Sequence, residues 1–156
     1  NRVCSQKRAR SALQKNGESG ANHQGVVAFV AAADYVAADR LLAQTAAKEN
    51  SLSVILDGVE DPRNLGAILR TVECAGADGV FIPERRAVGL TETVAKSAAG
   101  ATEYVKVAKV GSVNRLIEEL KENNIWVVGT SAEARIDYTE WDWTRRSALV
   151  LGGIGR

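Results

Sequence analysis

Arg70 is the residue of this chain best placed to do chemistry, at the end of Asn64-Leu65-Gly66-Ala67-Ile68-Leu69-Arg70. A guanidinium stays protonated at any ordinary pH and carries a rigid fork of donors. Leu65, Ile68, Leu69 and Val72 recur at helical spacing and form one apolar face. At about 100° per residue Arg70 falls opposite that face, available to a ligand. Upstream, the apolar run Val54-Ile55-Leu56 ends in a turn built from Asp57, Gly58, Asp61 and Pro62. The helical pattern opens at Asn64, whose side-chain oxygen can accept a first-turn N–H as a cap. Strand, loop and helix start in this order are how α/β proteins place ligand chemistry at the carboxyl end of a strand.

Several other chemistries lack their residues. The two cysteines, Cys4 and Cys74, are far apart, and His23 is the only histidine. A metal site has neither the thiols nor the imidazoles it needs. A Ser-His-Asp or Cys-His hydrolase would have to use His23, and no nucleophile elbow surrounds Ser131 or either cysteine. Cys74 reads as a small core residue on its helix, and the sparse cysteines fit a reducing cytoplasm. No apolar run approaches the ~20 residues of a membrane span, and no signal peptide is visible. Lys plus Arg number 20 against 19 Asp plus Glu, so net charge alone does not point to nucleic acid. The distribution does, through Arg2, Lys7, Arg8, Arg10 and Lys15 near the start and the pairs Arg85-Arg86 and Arg145-Arg146. Such clusters can neutralise phosphates, although solvated surface charge explains any one of them equally well.

The 156 residues make one domain, or one domain with part of another. Residues 1–22 read as helix and loop, 23–30 as a strand, and 39–48 as a helix after a short Ala-rich linker. A regular rhythm follows. Strands are expected over 52–56, 79–82, 104–107, 125–129 and 148–151, with helices over 65–75, 91–97 and 113–122 between the first four. Ser112 is the expected cap of the last helix. Strands alternating with helices of about three turns give an α/β fold with a mostly parallel sheet covered on both faces. Trp126 reads as core in its strand. Core packing is the default for Trp141 and Trp143, with base stacking or a dimer contact as the functional reading.

The segment from Leu52 to Leu151 resembles the catalytic domain of the SpoU/TrmH branch of the SPOUT methyltransferases. Asn64-Leu65-Gly66-Ala67-Ile68-Leu69-Arg70-Thr71 reproduces that family's first motif, N-L-G-A-x-x-R-T, in register. Ala75-Gly76-Ala77-Asp78-Gly79-Val80, Lys96-Ser97-Ala98-Ala99-Gly100-Ala101 and Ile125-Trp126-Val127-Val128-Gly129-Thr130 extend the likeness. His23-Gln24-Gly25-Val26 is similar to the end of the N-terminal RNA-binding domain of bacterial 23S rRNA guanosine-2′-O-methyltransferases.

The resemblance implies methyl transfer from S-adenosylmethionine to a ribose 2′-hydroxyl, of a guanosine in 23S rRNA. It implies a C-terminal trefoil knot holding the cofactor in the intact protein, and a homodimer. Asn64 and Arg70 would be catalytic. Gly129 and Thr130, with Leu151 and Gly152, would line the cofactor pocket, largely through backbone hydrogen bonds to adenine. Arg63, Arg70 and His23 would meet RNA, with Arg70 holding phosphate and stabilising charge on the 2′-oxygen; the other reading of His23 is a hydrogen-bonded residue fixing a domain junction. The domains would be the end of an RNA-binding domain over 1–30, a linker and helix over 31–50, and the methyltransferase domain over 51–156.

The pattern breaks near the end. The family's second motif, L-G-x-E-G-x-G, meets Leu151-Gly152-Gly153-Ile154-Gly155-Arg156, with no glutamate. Either the acid is lost, or a short loop is missing between Gly152 and Gly153; the second is the preferred reading. No third motif follows, and the first residue is Asn1. The chain is therefore expected to be incomplete and, as it stands, to bind cofactor poorly. Two other functions compete, a tRNA ribose methyltransferase and a non-catalytic RNA-binding or ribosome-assembly module on the same fold. A nicotinamide dehydrogenase fails, because no G-x-G-x-x-G follows the first strand of a βαβ unit.

Overall fold

The computed structural model describes residues 2–3, 28–29 and 34–152. They belong to two units that divide between Ala31 and Ala32. In the first, β1 (Arg2–Val3) pairs antiparallel with β2 (Ala28–Phe29). Strand therefore stands at 2–3, where helix was expected, and the 23–30 strand is seen only at 28–29. His23, the rest of the expected 1–22 helix and residues 153–156 lie outside the described residues.

The second unit runs α1 (Ala38–Ala46), β3 (Leu52–Asp57), α2 (Pro62–Cys74), β4 (Gly79–Pro83), α3 (Glu92–Ser97), β5 (Val107–Val110), α4 (Val113–Glu122), β6 (Trp126–Gly129) and β7 (Ser147–Gly152). Its five strands lie in the order β5-β4-β3-β7-β6, and every pairing is parallel. The chain builds β3, β4 and β5 outward in one direction, crosses to the far side for β6, and inserts β7 between β6 and β3. Such a reversal is where open α/β sheets leave a ligand crevice at the carboxyl ends of their strands.

Period-two alternation supplies two cores, one on each face. Val54, Leu56, Val80, Ile82 and Val107 join Leu65, Leu69 and Val72 of α2 and Val94 of α3. Ile55, Phe81, Ala108 and Ala148 join Leu41 of α1 and Leu116 and Leu120 of α4. Burying each large aliphatic side chain contributes about 1.5–3 kcal/mol. The helices thus change face as the strand order reverses.

Four sequence expectations need correction. Asp61 caps α2, its side chain accepting from the Arg63 N–H at 2.9 Å, with Pro62 at the first helical position. Asn64 sits inside the first turn instead. Cys74 is exposed, because it stands four residues after Arg70 on the solvent face of α2, opposite Leu65, Leu69 and Val72. Trp126 is 54% exposed, since β6 is an edge strand. The strand expected over 104–107 begins only at Val107; residues Ala101–Glu103 form a 3₁₀ turn that ends at Tyr104. The Ser112 cap of α4 is present, accepting from the Arg115 N–H.

Candidate active site

Two groups of residues define the candidate site. The first lies on α2. Its buried stripe of Leu65, Gly66, Leu69 and Val72 fixes the helix on the sheet and leaves Arg63, Asn64, Ala67 and Arg70 exposed. Arg63 and Arg70 are seven residues apart, so both point the same way, separated by about 10 Å along the axis. Because Asp61 does the capping, the Asn64 amide keeps its own donors and acceptor. Neither Asn64 nor the guanidinium of Arg70 has a side-chain partner among the described residues.

The glycine inside this motif has a structural reason. A Cβ on Gly66 would lie 2.6 Å from Ser97 Cβ, 2.8 Å from Ser97 Oγ and 2.9 Å from the Ala98 nitrogen. Only glycine lets α2 approach the end of α3 this closely. After α3 the chain reverses through Ala99 and Gly100, both with positive φ (50° and 92°). The turn brings residues 101–104 back beside α2. Arg70 and Glu73 from the helix, with Ala98, Ala99, Gly100, Ala101, Glu103 and Tyr104, line a concavity of about 420 Å³. Glu73, Glu103 and Tyr104 were not singled out from the sequence. The small residues of Ala98-Ala99-Gly100-Ala101 were a usable signal, since they form its floor.

The second group lies at the carboxyl ends of β6 and β7. Gly129 pairs with Val150, Leu151 with Leu56, and Gly152 with Asp57, the last residue of β3. Both the Thr130 N–H and its Oγ1 hydroxyl donate to the Val150 carbonyl, at 3.2 and 3.1 Å. The threonine donors are thus committed within the sheet, leaving the hydroxyl lone pairs and the Thr130 carbonyl as acceptors. Nothing lies within 4 Å of where a Gly129 Cβ would be, so a flat ring can approach the backbone there. Gly152 has only the Asp57 carbonyl and Cβ near, at 3.7 and 3.8 Å.

The structure therefore brings Gly129, Thr130, Leu151 and Gly152 together on neighbouring strands, beside the strand that leads into α2. Arg63, Asn64 and Arg70 share one helix face. Arg70 opens toward the 98–104 turn, and the strand ends are not among the residues lining its concavity.

Residues 51–153 match the SpoU rRNA Methylase family. The chain is similar to the TrmH family tRNA/rRNA methyltransferase YacO of Bacillus subtilis (strain 168), with 51% identity over 135 residues, which are 86% of this chain and 54% of that protein. A TrmH family tRNA/rRNA methyltransferase of Staphylococcus saprophyticus is 46% identical over 90% of this chain and 57% of its own length. The chain thus spans somewhat over half the length of these relatives. Among solved structures, the SpoU methyltransferase AviRb from Streptomyces viridochromogenes, in complex with AdoMet, superposes with a TM-score of 0.65 at 24% identity, covering 82% of this chain and 47% of that one. A TrmH family RNA methyltransferase structure from Porphyromonas gingivalis superposes at 0.57 with 28% identity, over 70% of this chain and 44% of that one. The sheet and its order of elements are therefore those of a known enzyme fold, and the first-motif match stands on the helix that the fold sets against the sheet. The chain belongs to the SpoU rRNA methylase family.

Proposed function

We propose that this chain carries the methyltransferase domain of an S-adenosylmethionine-dependent RNA 2′-O-ribose methyltransferase. The observation that carries the reading is the helix α2: the family's first motif presents Asn64 and Arg70, unpartnered among the described residues, to solvent, on a helix that starts beside the strand ends of a topological switch point. The substrate is RNA, and the finer reading is a guanosine in 23S rRNA. The relatives named for both tRNA and rRNA are consistent with either. The working form is a cytoplasmic homodimer, and residues 1–30 are the end of an RNA-binding domain in which His23 meets RNA. Among the described residues no helix is long and apolar enough to cross a membrane.

The strand ends fit the cofactor. Open space over Gly129, the free acceptors of Thr130 and the side-chain-free edge at Gly152 suit a purine held by backbone and hydroxyl groups, and Leu151 offers an apolar wall. When bound, S-adenosylmethionine supplies an electrophilic methyl group on a sulfonium. Arg70 and Arg63 hold the RNA backbone by phosphate contacts, and Arg70 stabilises the charge that grows on the 2′-oxygen. The 2′-hydroxyl gives up its proton to solvent water, with Arg70 meeting the negative charge that develops on the oxygen. Asn64 orients the ribose through its amide. Positioning of the oxygen is a large share of such catalysis.

The test is transfer of a radiolabelled methyl group to 23S rRNA and to bulk tRNA, with the product mapped by mass spectrometry. Arg70→Ala should abolish transfer while RNA binding largely persists. Labelling of neither RNA by folded, cofactor-bound protein would refute the enzyme reading and favour a non-catalytic RNA-binding module.

A further inference from the structure

We infer that the concavity beside Arg70 is a base-recognition subsite for guanine in single-stranded RNA, with Tyr104 as its stacking surface and Glu103 as its reader. The inference rests on the RNA reading above and names which base that site takes.

Three observations meet here. Tyr104 is 76% exposed, more than any other large hydrophobic side chain described, and its ring and hydroxyl have no partner among the described residues. It borders the same concavity as Arg70, whose guanidinium is also unpartnered there. Glu103, likewise exposed and unpartnered there, stands next to the ring, and Glu73 lies one helical turn beyond Arg70. Between them run only Ala98, Ala99, Gly100 and Ala101, which leave room for a flat ring.

The charge pattern narrows the occupant. A simple anion would suit Arg70 but be repelled by Glu73 and Glu103. A metal ion would suit the carboxylates but be repelled by Arg70. An apolar ligand would leave all three charges unanswered. A nucleotide answers each: phosphate to Arg70, a π-face to Tyr104, and base donors to a carboxylate.

A carboxylate accepts and never donates when ionised. Guanine alone offers two adjacent donors, N1–H and the 2-amino group, on its Watson–Crick edge. Adenine would set its N1 lone pair against the carboxylate. Uracil flanks its single N3–H with carbonyls, and cytosine places an acceptor beside its amino group. Glu103 therefore discriminates for guanine, while Tyr104 adds affinity without regard to sequence.

Fluorescence anisotropy with labelled pentamers UUGUU, UUAUU and UUIUU, where I is inosine, tests this at one fixed low salt concentration. The wild-type chain should bind UUGUU about tenfold more tightly than UUAUU, since a bidentate pair discriminates on that order. Inosine lacks the 2-amino group and should fall between. Glu103→Gln should bring the G-to-A ratio close to one. Tyr104→Ala should weaken all three pentamers by about tenfold, and Tyr104→Phe should not. Both positions are exposed, so these variants should fold as the wild type does, which circular dichroism verifies. Equal binding of UUGUU and UUAUU by the wild type, a preference that survives Glu103→Gln, or unchanged binding by Tyr104→Ala would each overturn the inference. If the Tyr104 and Glu103 variants leave pentamer binding unmoved while the protein still labels RNA, the subsite is wrong and the RNA reading stands. If the wild type binds no pentamer, the subsite falls, and the RNA reading stands or falls separately on the labelling of 23S rRNA and tRNA.

Discussion

Gly66→Ala separates two forces that act in opposite directions. Gly66 lies inside α2, where alanine is preferred to glycine by about 0.8–1 kcal/mol. Helix propensity alone thus makes the variant more stable. Its new methyl group, however, would stand 2.6 Å from Ser97 Cβ, against about 3.5–4.0 Å for an ordinary carbon contact. The 2.9 Å approach to the Ala98 nitrogen involves backbone, which cannot rotate aside. Such overpacking costs about 1–3 kcal/mol. The net expectation is a loss of about 1 kcal/mol, or roughly 2–4 °C in Tm for a domain of this size. The effect on activity should be larger. Relieving the clash moves α2 about 1 Å from the 97–101 turn, and Arg70, one turn further along α2, moves with it; misplacement of that size can cost about a hundredfold in rate. Thermal unfolding and methyl transfer are measured on the wild type, Gly66→Ala, Ser97→Gly and the double variant. Ser97→Gly removes two of the three close contacts, so the double variant should be more stable than the sum of the single effects allows. A Gly66→Ala protein at least as stable as the wild type, with unchanged transfer, would refute the packing argument.

Arg70→Lys keeps the charge but loses the planar fork, so transfer should fall on the order of 10²-fold while stability stays within about 0.5 kcal/mol of wild type; a lysine variant with full activity would reduce Arg70 to a point charge. Leu69→Ala empties a fully buried position under the same helix and should cost about 2–5 kcal/mol by urea unfolding. Asp61→Ala removes the cap on the Arg63 N–H and should cost about 1 kcal/mol, whereas Asn64→Ala should leave unfolding almost unchanged and depress only transfer. Asp137 is held below the ordinary aspartate value by the Thr139 N–H and then its hydroxyl, and Asp142 by the Thr144 hydroxyl, its N–H and Arg145. Their lowered folded values mean these turns are fully supported above the unfolded value near about 4 and loosen as pH falls through the lower folded values. An acid titration of near-ultraviolet circular dichroism, read through Trp141 and Trp143, should therefore show its change below about pH 4, and a midpoint above that would contradict the assignment.

The βαβ rhythm was legible because each strand and helix of the second unit carries its own signal. Val54-Ile55-Leu56 and Val80-Phe81-Ile82 are short continuous apolar runs, and Leu116 and Leu120 mark the buried face of an otherwise polar helix. What escaped depended on position in the whole fold. Trp126 looks like core in a strand of valines, but β6 is at the sheet edge, and strand order is not written in any local pattern. Cys74 is the exception, since helical spacing from Arg70 already puts it on the solvent face of α2. Tyr104 next to Val105 and Val107 looks like the start of a strand, whereas the reversal at Ala99 and Gly100 delays β5 and turns Tyr104 outward. The candidate site divides in the same way. Arg70 stood out by its place on the helix and Asn64 by the motif, but Glu103 and Tyr104, which share the concavity with Arg70, arrive from a turn about thirty residues later.

The few residues between β3 and Arg70 divide their tasks so that chemistry and folding do not compete for the same groups. Gly58, at φ 78°, turns the chain off the strand, and Asp61 and Pro62 start the helix. Leu65 and Leu69 anchor the helix to the core, and Gly66 sets how closely it meets α3. With capping, anchoring and spacing already met, Asn64 and Arg70 have no structural work, and their side-chain polar groups have no partner among the described residues. An exposed, unpartnered side chain on a rigidly held helix is pre-organised without being self-satisfied, and that is what a site must be before its ligand arrives. The same logic explains the glycines at the strand ends. At β6 and β7 the sheet fixes the backbone through the Gly129–Val150 and Gly152–Asp57 pairings, while the missing side chains leave the surface of that backbone open. Helix and strand ends are rigid for the same reason, burial on the far side, and each is left unfilled only on the side where a ligand would lie.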